Sequence, residues 1–322
     1  MTAMQAPAAG GTATMDDLYA KAEELDVTPG WVKRDKPIFW KEPRTDFVPV
    51  RWSYADIRAA LELANDVVPM ELAERRNLVL RNPYPGNNFA TTRSFACAYQ
   101  AILPGEMAPS HRHAAHALRV IIDAKGTFSV VDGQKTPMES GDVVLTPGGA
   151  WHGHGHDGDE PAFWLDGLDI PLTHLLEPMF IEDHPDGFEP VTSIAETSRF
   201  RFAADDIARG LDAAPVSDRG IYGRRITLEA PDMPDMGLSV QRLESGSRTR
   251  RSRSTANRVF VVMEGSGTTD VGGKALAWER GDTVVVPIWH HFAHEASSDS
   301  VVFELTDEPL MRFTRYYREE LD

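Results

Sequence analysis

Hydrophobic positions change period along the chain, and the change divides it. Residues 16–24 show a short helical pattern. A second runs from about 54 to 67, where Ile57, Leu61 and Ala64 recur on one face behind Ser53, a residue able to cap a helix. Between them, residues 29–49 form an irregular arm carrying Trp31, Trp40, Pro37, Pro43 and Pro49. From about Leu78 the apolar runs become short and often alternate: 94–102, 118–122, 127–131 and 142–146. Asp132-Gly133 stands between 127–131 and 134–138, where a two-residue hairpin turn is predicted. Many short strands punctuated by Gly and Pro point to an antiparallel sandwich or barrel. A helix over about 309–320 is expected to close the chain, and the Ala/Gly/Thr-rich first fifteen residues are expected to be a disordered tail.

The strand-rich region repeats itself. Gly105, Gly141 and Pro147 recur as Gly246, Gly281 and Pro287, offsets of 141, 140 and 140 residues. Between them IIDAKGTFSVVDG (121–133) answers VVMEGSGTTDVGG (261–273), and SGDVV (140–144) answers RGDTV (280–284). The repeat is domain-sized, so each half is expected to be one β-barrel of the same kind. A length of 322 residues, 42% of them apolar, suits two such cores.

Charge and cysteine content narrow the chemistry. With 33 Lys+Arg against 49 Asp+Glu, the net charge is −16. That balance argues against nucleic acid or an anionic membrane as partner, and it means an anionic substrate must be drawn in by local arginines. No run approaches a membrane span and no secretory pattern opens the chain, so a cytoplasmic location is expected. One cysteine, Cys97, excludes an internal disulfide framework and any multi-cysteine zinc site. It lies in a predicted buried strand and reads as a small core residue. The run Arg248, Arg250, Arg251 and Arg253 is read as pairing with carboxylates rather than with phosphates.

Eleven histidines remain for metal chemistry. His111 and His113 are two residues apart, which on a strand points both imidazoles to one face. His152, on a later strand, can complete a set of three nitrogen ligands. The repeat offset carries His111 onto Ser252, His113 onto Ser254 and His152 onto Phe292, so the second half is expected to hold no such site. His290, His291 and His294 cluster nearby without matching it. Arg119 lies six residues after His113, an even spacing that on one regular strand shares the ligand face. It could serve as a bidentate carboxylate clamp or as a buried ion pair. His154, two residues after His152, suits a hydrogen bond to substrate oxygen, or else is a solvent-facing loop residue.

The spacings Gly105-x5-His111-x-His113 and Gly141-x5-Pro147-x-Gly149-x2-His152 resemble the two motifs of the cupin superfamily. In a duplicated chain they resemble the bicupin gentisate 1,2-dioxygenase family, which includes the salicylate 1,2-dioxygenases. The closest stretches are LPGEMAPSHRHAAHALR (103–119), PMESGDVVLTP (137–147), WHGHG (151–155) and WLDGLDIP (164–171). The resemblance implies an all-β-dominated bicupin, two jelly-roll β-barrels with an N-terminal helical arm and a C-terminal helix. Its segments would be a tail (1–15), the arm (16–75), a catalytic barrel (76–195) and a second, metal-free barrel (196–322). It further implies Fe(II) on His111, His113 and His152, O2 as co-substrate, a small aromatic hydroxy-acid substrate, and a homo-oligomer, in this family a tetramer.

The implied reaction is cleavage of gentisate between its carboxyl-bearing and adjacent hydroxylated carbons, giving maleylpyruvate. Salicylate, 5-substituted salicylates and 1-hydroxy-2-naphthoate are rival substrates, and a non-catalytic ligand-binding bicupin is the alternative class. By family position Arg119 and His154 serve catalysis and substrate binding, Gln100 contacts substrate, and Asp166 supports Arg119 or a histidine. Arg75 or Arg76 approaches the site from the arm. Two departures stand out. The general cupin motif has a ligating Glu where this chain has Ala117, which leaves three neutral ligands and three open positions. The family's Trp four residues before the glutamine is Ala96 here, which opens the pocket wall.

Overall fold

The computed structural model describes residues 13–32, 38–69, 72, 76–195 and 197–322. It falls into two compact units, Met1–Pro43 and Arg44–Asp322. In the first, a helix spans Met15–Glu24, opened by a capping box in which Thr14 and Asp17 satisfy each other's backbone amides. Residues 1–12 of the expected tail lie outside the described residues.

The second unit is an all-β-dominated double barrel. In the first barrel one sheet runs Arg201–Phe202, Val143–Thr146, Ala117–Asp123, Ala162–Leu168, Ala96–Ile102, Arg76–Val79. Its companion runs Ile181–Asp183, Met107–His113, His152–His156, Thr127–Val131, Gln134–Met138, Ser193–Ile194. The second barrel repeats the plan around Gly237–Leu243, Ser300–Thr306, Arg258–Glu264 and Thr283–Val286, faced by a five-stranded sheet. The hairpin over Asp132-Gly133 forms as expected: Val131 pairs with Gln134, and both turn residues have positive φ, 46° and 76°.

Strand alternation assigns the two faces of the first sheet. Cys97, Tyr99, Ala101, Leu118, Val120, Phe163 and Leu165 join Val259, Val261, Val285, Phe303 and Leu305 in one core between the barrels. Ile102, Ile121, Val144 and Trp164 point the other way, into the first barrel, with Met138 from the opposite sheet. Gln100, Arg119 and Asp166 share this inward side by period two. Gly167 sits where the barrels close, since a Cβ there would meet Leu305 at 2.9 Å.

The duplication extends further than the sequence repeat. Each barrel has a buried aspartate in its Gly-Asp turn, and a strand-then-helix segment docks on it. Asp142 accepts from Arg201 Nε (2.7 Å) and from the amide of Ala204, which opens the helix Ala204–Ala213 (2.9 Å). Asp282 accepts from Arg51 Nη1 (2.6 Å) and from the amide of Tyr54, which opens the helix Tyr54–Val67 (2.8 Å). The carboxylates meet a helix N-terminus and a guanidinium together. The arm strand Val50–Trp52 thereby extends the second barrel, pairing with Thr283–Val286, and it was not anticipated from the hydrophobic pattern.

The C-terminal helix is shorter than expected. It spans Glu308–Phe313, ends where Arg315 turns to φ 61°, and gives way to a strand, Glu319–Leu321, paired with Ser252–Ser254. The arginine run meets carboxylates here: Arg253 bonds Glu320 (2.8 Å) and Arg251 approaches Asp322 (3.5 Å). No described helix is long and apolar enough to cross a membrane.

Asp142 is fully buried, so Asp142→Ala would remove a buried acceptor shared by Arg201 and the amides of Glu139 and Ala204. It should lower unfolding stability by about 3 kcal/mol in urea denaturation, and a loss below about 1 kcal/mol would show that the clasp is not structural.

Candidate metal centre and active site

The strand Met107–His113 lies beside His152–His156, with His111 directly opposite His152. A register shift between Ala108 and His111 holds Pro109, whose missing N–H would interrupt a regular ladder. Ring centroids of His111, His113 and His152 lie 4.4 to 5.6 Å apart, and one nitrogen from each falls within 4.8 Å of the others. In each ring Nδ1 meets a backbone carbonyl: His113 with Ala115 (2.7 Å), His152 with Ala150 (3.1 Å) and, more weakly, His111 with Pro109 (3.4 Å). A carbonyl only accepts, so each Nδ1 carries the proton and each Nε2 presents a lone pair.

Burial, with the nearby Arg119 charge and the other two imidazoles, holds the His152 pKa well below its ordinary value. His152 Nε2 is buried and meets no hydrogen-bond partner among the described residues. An orphaned lone pair inside three convergent neutral imidazoles fits a divalent transition metal, with nitrogen donors suiting iron, zinc or copper. The glycines of His152–His156 are steric: a Cβ at Gly155 would strike the Phe128 ring at 2.3 Å, and one at Gly153 the Ser110 hydroxyl at 2.7 Å.

His154 is 1% exposed, with its ring 6.0 Å from His152 and 6.1 Å from Trp164, so it is no solvent-facing loop residue. His156 is structural, its nitrogens meeting Thr127 Oγ1 (2.9 Å) and the Glu160 carbonyl (2.6 Å).

Arg119 reaches the barrel interior by a different route from the one its spacing suggested. The chain leaves Met107–His113, turns through Ala114–Ala115–His116, and begins a strand of the opposite sheet, Ala117–Asp123. Arg119 is 1% exposed; its Nη1 donates to Thr146 Oγ1 (2.6 Å) and its Nε lies 3.4 Å from Asp166 Oδ1. Asp166 also accepts from Trp164 Nε1 (2.8 Å) and from the Gln100 amide. Arg119, Asp166 and Gln100 therefore form one network on three adjacent strands, with Trp164 and Thr146 as members that sequence reasoning missed. The WLDGLD stretch already held Trp164 two residues before Asp166, on the same face.

Ala96 is buried opposite Leu168 in the register. Arg76 is turned to Glu106 (2.7 Å) and the Val68 carbonyl (3.0 Å). Arg75 lies outside the described residues.

The second barrel keeps the frame without the three histidines. Ser252 pairs with Phe292 in the register that joins His111 to His152. Phe260, at the repeat position of Arg119, fills the interior with Phe292, Val284 and Trp278. His294 is buried there, with Nδ1 2.8 Å from Thr269 Oγ1 and its pKa pushed down to about 4 by burial. Among the described residues, no metal-capable group includes His290, His291 or His294.

Paired barrels with one histidine-lined interior define a double-barrel cupin, and the cupin domain family matches residues 98–168. The chain is 33% identical to a gentisate 1,2 dioxygenase of Aquipseudomonas alcaligenes over 94% of this chain and 95% of that protein. It is 33% identical to a 5-aminosalicylate 1,2-dioxygenase of Comamonas over 95% of this chain and 90% of that one. The solved salicylate 1,2-dioxygenase of Pseudoaminobacter salicylatoxidans with gentisate superposes with a TM-score of 0.87 at 26% identity, covering 98% of this chain and 96% of that chain. The chain belongs to the gentisate 1,2-dioxygenase family and is a ring-cleaving dioxygenase.

A second group of potential ligands, His116, Asp169 and Asp235, also lies within 4.8 Å. Gly148 donates its N–H to His116 Nδ1 (2.9 Å), so the neutral ring carries its proton on Nε2 and has no lone pair for a cation there. Asp169 is instead pushed up to about 8, first by burial and then by Asp235. It keeps its proton where an unfolded carboxyl has lost it, so stability should fall as pH rises from roughly 4 towards the folded value. Asp169→Asn should therefore gain thermal stability relative to the parent between roughly pH 5 and pH 9. Parallel melting-temperature curves would refute the assignment.

Proposed function

We propose that this protein is an Fe(II)-dependent dioxygenase that opens gentisate between its carboxyl-bearing and adjacent hydroxylated carbons to give maleylpyruvate. The observation that carries the reading is a three-imidazole set, with no carboxylate, beside a buried arginine. Neutral ligands leave the cation's charge for the substrate, which suits an acid bringing two negative oxygens of its own. Iron, when bound to His111, His113 and His152, supplies adjoining coordination sites for substrate and dioxygen and a path for electrons between them.

The chain's own residues do the rest. Arg119, held by Thr146 and Asp166, orients and neutralises the substrate carboxylate in a water-poor interior. His154, next along the strand face from His152, accepts or returns the proton of the ring hydroxyl. Gln100 contacts the ring from the wall of the first sheet. The small Ala96 in that wall favours 5-substituted salicylates and 1-hydroxy-2-naphthoate as further substrates, by space rather than by a specific contact.

Oxygen-electrode assays over gentisate, salicylate, 5-substituted salicylates and 1-hydroxy-2-naphthoate with added iron(II) test the reaction, and uptake with none of them sinks it. His111→Ala should lose both metal content and oxygen uptake; retained uptake would displace the site. Arg119→Ala should raise KM for carboxylated substrates roughly 10- to 100-fold, the worth of a charged hydrogen bond. An unchanged KM would return Arg119 to a structural role.

A further inference from the structure

The orientation of one amide, Gln100, bears on which ring the site accepts. Gln100 stands on the inward side of Ala96–Ile102, opposite Tyr99 and Ala101 and on the side of Ile102. Its Nε2 donates to Asp166 Oδ2. That orientation is forced: Asp166 faces the Arg119 charge and accepts from Trp164 Nε1, so it is an ionised acceptor, and the reversed amide would set oxygen against oxygen. Gln100 Oε1 is consequently turned away from Asp166. It is buried, and it meets no hydrogen-bond partner among the described residues. A buried acceptor without a donor is costly, and Gln100 is only 6% exposed.

We infer that Gln100 is a specificity-determining residue whose carbonyl oxygen selects substrates bearing a second protic group, a ring hydroxyl or amine. The inference rests on the function proposed above. There the carboxylate and its neighbouring phenol oxygen are spent on the metal and Arg119, and both are acceptors. The donor that Gln100 Oε1 requires must therefore come from another ring substituent, which gentisate and 5-aminosalicylate carry and salicylate lacks. Sites built to meet a polar substituent reject the analogue without it more strongly than apolar pockets discriminate by size.

The test is binding without turnover. The iron-loaded protein is titrated anaerobically by calorimetry with gentisate, 5-aminosalicylate, salicylate, 5-fluorosalicylate and 5-methoxysalicylate. The last keeps an electron-donating oxygen at the same carbon but has no proton to give. Gentisate and 5-aminosalicylate should bind roughly tenfold or more tightly than the three acids without a second protic substituent, the worth of one hydrogen bond to a buried acceptor. In Gln100→Met, which keeps length and loses the acceptor, that preference should shrink to within about threefold. Equal affinities across the panel in the parent protein would overturn the inference and leave the ring-cleavage reading intact. A protic preference surviving in Gln100→Met would also overturn it, by assigning the acceptor elsewhere. Failure of every acid to bind or to support oxygen uptake would remove the underlying reading instead. If Gln100→Met does not fold, Gln100→Glu at a pH where it is ionised supplies the second variant: it keeps an acceptor, so the protic preference should persist, and its loss would overturn the inference.

Discussion

The backbone carbonyls of Pro109, Ala115 and Ala150 decide where the protons of three histidines sit, and the rest of the site follows. With Nδ1–H committed to those carbonyls, His111, His113 and His152 turn neutral nitrogen lone pairs towards one point. Neutral imidazoles carry no positive charge to repel Arg119, and beyond burial the Arg119 charge helps to hold the His152 pKa down. Arg119 in turn needs a counter-charge, and Asp166 supplies it. Asp166 then fixes the Gln100 amide. One tautomer choice thus propagates through guanidinium and carboxylate to the polarity of an amide on a strand two places away.

The frame that holds this chain of contacts was built twice and armed once. Asp142 and Asp282 clasp equivalent strand–helix segments, so each Gly-Asp turn is rigid in both barrels. In the second barrel the positions of the three histidines and of Arg119 carry Ser252, Ser254, Phe292 and Phe260, and aromatic packing replaces the polar network. The shared core of Tyr99, Leu118, Phe163, Val259, Phe303 and Leu305 ties the two together. The second barrel acts as the wall against which the sheet carrying Arg119, Asp166 and Gln100 is held.

Much of this was legible from residue order, because strand period and turn chemistry are local. The Asp132-Gly133 hairpin, the HxH pair and the equivalence of Ser252 and Phe292 to His111 and His152 needed only spacing. What failed was non-local. Arg119 shares the histidines' interior by crossing between sheets at 114–116, so the even spacing that suggested a common face was fortuitous. The strand Val50–Trp52 is only three residues long, too short to declare itself by alternation, and it is held by Asp282 and the edge of Thr283–Val286. The final helix stopped early because Glu319–Leu321 found a strand partner in Ser252–Ser254. Thr146 and Trp164 became meaningful only once Arg119 and Asp166 were seen to meet.

The chain's −16 charge bears on how an acid could enter such a site. Long-range attraction is not available, since the surface field opposes an anion. At physiological ionic strength, though, exposed charges are screened beyond about 8 Å, whereas a buried guanidinium is screened far less. An approaching carboxylate therefore feels little of the surface until it is within reach of Arg119 and of any cation held by the three imidazoles. Selection is then made inside the barrel, by contact geometry, not by steering. Under that constraint a buried acceptor such as Gln100 Oε1, without a partner among the described residues, carries weight, because contacts inside the barrel then set selectivity.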